Sequence, residues 1–90
     1  MQTAAPTPLN LPKPVHVVPS ATPDGPVPGQ IGYRGRLYPV TTIEEEIRVV
    51  DEWWRPEPAD RHYFICRMGD GRRLTVFWDA INDRWYEQRY

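Results

Sequence analysis

From position 30 onward, short runs of β-branched and aromatic residues alternate with turn residues, the pattern of strands joined by tight connections. Residues 31–33 and 36–40 flank Arg34-Gly35, where Gly35 supplies the positive φ of a tight hairpin turn. Pro39 puts the second of these strands at an edge or a bend, because proline has no N–H for a central ladder. Residues 62–68 and 72–78 flank Gly69-Asp70-Gly71 and predict another hairpin, after which 79–83 reverse the chain and 84–90 form a last strand. Connections this short imply antiparallel neighbours.

Between these hairpins the pattern reads two ways. Thr42 and Glu45 make a capping box, with Ile43, Ile47, Val50 and Trp54 on one helical face. Strand alternation fits as well, with Ile47, Val49, Asp51 and Trp53 on one side and Arg48, Val50, Glu52 and Trp54 on the other. The branched side chains favour extended backbone, so 46–54 is assigned as strand, while 41–50 as a whole stays open between helix and strand. Pro56 and Pro58 then open a loop to Asp60. Both faces of the strands at 62–68 and 74–78 carry large apolar groups, so the sheet is expected to curl into a small barrel or to be covered by another chain. The expected fold is all-β, a small antiparallel meander of about five strands.

Residues 1–29 differ in kind. They hold eight of the eleven prolines and no aromatic residue, with Lys13 and Asp24 their only charges. Their apolar side chains are too few to offset the entropy of ordering them, so 1–29 is expected to be a disordered proline-rich tail and 30–90 the folded domain. The tail ends in the turn-prone Pro23-Asp24-Gly25-Pro26, and His16 reads as a solvated linker residue.

All eleven aromatic residues lie after position 30, so large rings must stabilise a domain near the lower size limit, and a homodimer is a further way to do so. With a net charge of −1 and interleaved signs, charge alone does not predict attraction to nucleic acid. Ten of the eleven basic residues are Arg, which stacks on rings and forks onto carboxylates or phosphates. Cys66 is the single cysteine, excluding an internal disulfide and fitting a reducing cytoplasm. No secretory signal and no membrane-length apolar run is visible, so a cytoplasmic protein without membrane contact is expected.

Catalytic chemistry is thinly represented. His62 and Cys66 would share a strand face but stand ~13 Å apart, which makes Cys66 a buried structural thiol. One cysteine and two histidines do not supply the ligands of a zinc site, and the acids at Glu44-Glu45-Glu46 and Asp79/Asp83 read as solvated faces. Gly69-Asp70-Gly71 lacks the spacing of a nucleotide-binding loop. No catalytic residue, cofactor or metal is therefore expected. The most specific feature is Glu52-Trp53-Trp54-Arg55, whose adjacent tryptophans point to opposite sides of a strand, so that one core face cannot absorb both. Trp53, Trp54 and Arg55, with Arg72 and Arg73, form the expected interaction surface.

The motifs Arg34-Gly35-Arg36-x-Tyr38-x-Val40, Glu52-Trp53-Trp54-Arg55, Tyr63-Phe64-x-Cys66, Asp70-Gly71-Arg72 and Arg84-Trp85-Tyr86 follow in an order that resembles a family of small bacterial domains of unknown function. That family is similar to the C-terminal segment of the catalytically inactive Y-family DNA polymerase homologue of the mutasome. The resemblance covers residues 31–90 and departs from the family at Glu87-Gln88-Arg89-Tyr90. It implies an accessory domain of translesion DNA synthesis, with no catalytic residues to carry over. Two functions follow as expectations: a protein-interaction module in DNA damage tolerance, or a single-stranded nucleic-acid binder whose Arg residues hold phosphates and whose rings stack bases.

Overall fold

A computed structural model describes residues 12–50 and 59–88. These residues form seven strands, β1 (Lys13–Pro14), β2 (Val17–Thr22), β3 (Gly25–Tyr33), β4 (Arg36–Val50), β5 (Asp60–Met68), β6 (Arg73–Asp79) and β7 (Arg84–Glu87). All pairings are antiparallel, as the short connections require. The sheet order is β1-β7-β6-β5-β4-β3-β2. Because β1 and β2 are successive parts of one extended segment, the curled sheet brings its two ends together there. Val15 donates its N–H to the Trp85 carbonyl of β7 at 3.1 Å, and the next residue, His16, accepts from the Gly32 N–H of β3 at 2.7 Å.

For residues 12–29 this closure corrects the expectation that 1–29 is a disordered tail, since they belong to the sheet, while residues 1–11 lie outside the described residues. The expected boundary at 29/30 falls inside β3, and β1 and β2 bring the strand count from about five to seven. The physical reason is that these residues are not stabilised by their own side chains alone. Val17 and Pro28 are buried, Val15 and Val27 pack against the core, and the backbone gains ladders to β3 and β7 that composition does not reveal. His16 is exposed at its side chain, yet its backbone closes the sheet. The turn expected at Pro23-Asp24-Gly25-Pro26 is present, with Thr22 opposite Gly25 and Gly25 at φ 120°.

Extended structure, not helix, runs through 41–50. Pro39 marks the bend where β4 leaves β3: residues 36–39 pair with β3, and pairing with β5 runs from Val40 to Val50. Bulges at Thr41 and Glu44 accommodate the change of direction. At this joint Gly69 donates its N–H to the Pro39 carbonyl at 2.9 Å, so close that a Cβ on Gly69 would lie 2.9 Å from Pro39 Cγ. The two-residue turn Arg34-Gly35 has positive φ at both positions, 50° and 79°, matching the twist of the strands it joins.

Strand alternation divides the side chains. One face carries Val17, Ile31, Phe64, Cys66, Met68 and Val76, sealed by Tyr38, Leu74, Trp78 and Trp85. Phe77 points the other way and is nonetheless buried, between Tyr63 at 4.9 Å and Tyr86 at 5.1 Å with the Arg61 guanidinium 4.8 Å from its ring centre. These outer rings explain why both faces of β5 and β6 read as apolar.

Candidate interaction surfaces

Of the five residues expected to form one surface, Trp53, Trp54 and Arg55 lie outside the described residues, and Arg72 and Arg73 go to different places. Arg72 lies against the rings of Tyr33 and Tyr38, with 4.2 and 5.5 Å to their centres, and its Nε donates to Asp70 Oδ2 at 2.7 Å. Arg73 instead donates from Nε to Glu44 Oε1 at 2.8 Å, while Arg67 holds Oε2 of the same carboxylate at 3.1 Å. Neighbouring side chains on extended backbone point to opposite sides, and the two guanidinium groups accordingly do not combine.

The bulge at Glu44 lets one carboxylate serve two arginines. Its partial desolvation raises the carboxyl pKa, but the hydrogen bonds from Arg67 and Arg73 outweigh that and hold it below the ordinary value. At the far end of β4, Asp60 accepts from Arg48 Nε at Oδ1, 3.1 Å, and from Nη2 at Oδ2, 2.9 Å, and His62 Nε2 stands 3.4 Å from the same Oδ1. The Arg48 bonds depress the Asp60 pKa. Cys66 is fully buried, and burial pushes its thiol up to about 12, with Glu44 adding to the shift, which leaves it protonated and inert at neutral pH. Among the described residues no group of three or more His, Cys, Asp or Glu could hold a metal ion.

Two features that the sequence reading did not single out now stand out. The first is a pair of adjoining clefts of about 340 and 590 Å³ sharing His16, Gly32, Tyr33 and Arg34, with Arg36 lining one and Lys13 the other. Lys13, Arg34 and Arg36 outnumber Glu87 at this end, but Arg34 and Arg72 already sit against the Tyr33 ring. The remaining described rings are engaged in the same way, through the pairs Tyr63–Phe77, Phe77–Tyr86, Phe64–Trp85, Trp78–Trp85 and Trp78–His62.

The second feature is the edge of β4. Among the described residues, β4 beyond Pro39 pairs with β5 on one side and with no strand on the other. Along that stretch Ile47, Val49 and Val50 are 44%, 46% and 57% exposed. A hollow of about 150 Å³ lies beside them, lined by Glu46, Ile47, Arg48, His62, Tyr63 and Phe64. Alternating apolar residues on a sheet edge could have been found from the sequence once 41–50 was taken as strand, but which strand lies at an edge depends on pairings distant in the chain. No protein-family model, curated protein or solved structure matches this chain. Among the described residues no helix is long and apolar enough to cross a membrane.

Proposed function

We propose that this domain is a non-catalytic protein-interaction module that binds by adding a strand to the edge of β4. The observation carrying this reading is that, among the described residues, β4 beyond Pro39 is paired on one side only, with Ile47, Val49 and Val50 exposed along it. In strand addition the backbone supplies affinity and pockets for alternate side chains supply specificity, and the hollow beside Ile47 and Tyr63 has room for one such side chain. The resemblance to the C-terminal segment of an inactive Y-family polymerase homologue supports a place for the module in translesion DNA synthesis. A photoreactive residue introduced at Val50 is expected to trap polypeptide adducts in cells, whereas one at Leu37, comparably exposed at 46% on the stretch of β4 already paired with β3, is not. Adducts at both positions, or at neither, overturn the reading.

Binding of single-stranded nucleic acid is favoured by one feature, the basic end formed by Lys13, Arg34 and Arg36. It is the weaker reading, because base stacking needs available ring faces and each described Tyr, Phe and Trp ring already has a protein group against it. Absence of tryptophan quenching by an oligonucleotide at low salt removes it.

A further inference from the structure

We propose that the strand added to the β4 edge is β4 of a second copy, paired antiparallel about a two-fold axis at Ile47. This rests on the strand-addition reading and names its occupant. When one strand pairs with itself about a two-fold axis perpendicular to the sheet, opposite side chains lie on the same face, so the pairing must centre on a residue. Centring it on Glu46 would set two carboxylates against each other, and centring it on Arg48 two guanidinium groups, both destabilising. Centred on Ile47, isoleucine meets isoleucine and each Glu46 meets the Arg48 of the second copy, so two unlike-charge pairs flank an apolar contact. Glu46 has no ion pair among the described residues, and Arg48 binds Asp60 through Nε and Nη2, leaving Nη1 for a second carboxylate.

The outer face adds a second argument. Ile47 is opposite Tyr63, Tyr63 opposite Phe77, and Phe77 opposite Tyr86, so one apolar row crosses four strands and stops at the β4 edge, which has no further strand beside it among the described residues. Pairing through Ile47 joins the rows of two copies into one band and takes Ile47 and Val49 out of water, a gain for a domain with so small a core.

Charge exchange in the full chain tests the register. In sedimentation equilibrium the wild type is expected to be a dimer, and Glu46→Arg or Arg48→Glu alone, each opposing like charges, to weaken it by roughly tenfold or more. An equimolar mixture of the two variants opposes unlike charges and is expected to recover the dimer. Glu46→Arg leaves the Arg48–Asp60 pair intact and carries the test by itself if Arg48→Glu fails to fold. A dimer indifferent to both changes, or a mixture no tighter than either variant, overturns the proposal. A wild-type monomer also overturns it, and hydrogen exchange then judges the underlying reading. Fast exchange of those amides in 41–50 that face away from β5 leaves the edge available for strand addition by a different protein, whereas protection of these outward amides in a monomer overturns both.

Discussion

The β2–β3 hairpin and the far half of β4 are both two-sided elements with little sheet beside them, yet their edges are built differently. The hairpin carries Pro19, Pro26 and Pro28, which remove N–H groups that another strand would need. From Val40 to Val50, β4 has no proline, and its protection is limited to two bulges and the acidic run at Glu44-Glu45-Glu46. Beyond the second bulge it presents Ile47, Val49 and Val50 with only Arg48 between them. The difference teaches that these prolines do not mark a linker: they remove N–H groups along one edge, whereas the far half of β4 keeps its own.

The sharpest way to break this contrast is a pair of truncations. Ile31, in the β3 arm of the hairpin, is 1% exposed, and Ile31→Ala should cost about 2–5 kcal/mol in urea unfolding through lost burial and the cavity left behind. Ile47→Ala on the open edge should change the stability of the monomer by under about 1 kcal/mol. Equal losses at the two sites would mean that residues 12–33 are no more integral to the fold than the bare edge. The joint between the two regions comes next. Gly69→Ala forces a methyl against the Pro39 ring, which cannot swing aside, and should cost about 1–3 kcal/mol by overpacking, read as a lower urea midpoint.

Acid gives the smallest effect and separates the regions by charge. The carboxyls of Glu44 and Asp60 are both held below their ordinary values by arginines attached to the β4 half. A depressed carboxyl stabilises the fold above its unfolded pKa, near 4, and that contribution disappears as pH falls through the lower folded value. Amides of β4 and β5 should therefore lose hydrogen-exchange protection below about pH 4 before those of β2 and β3 do. The reverse order would show that the ion pairs do not hold the open half.

Much of this organisation was legible locally. The turns at Arg34-Gly35 and Gly69-Asp70-Gly71 were readable because turn geometry is set by the residues in it, and Pro39 announced its bend because a missing N–H is a property of one residue. The place of residues 12–29 was not legible. Val15 meets Trp85 from the opposite end of the chain, and no window of sequence contains that pairing. The separation of Arg72 from Arg73 follows from alternation and was available in principle, since neighbours on extended backbone part to opposite sides. The sharing of Glu44 by Arg67 and Arg73 was not, because the two bulges reset the register in a way that hydrophobic pattern does not encode.

The pairing of Lys13 with Glu87 has a further consequence. Antiparallel strands bring the beginning and end of the described region out of the sheet side by side, so whatever is attached at either end starts from nearly the same point. The domain can hang from a longer polypeptide as a pendant, set into a loop of a host without spreading its anchor points or adding to its reach.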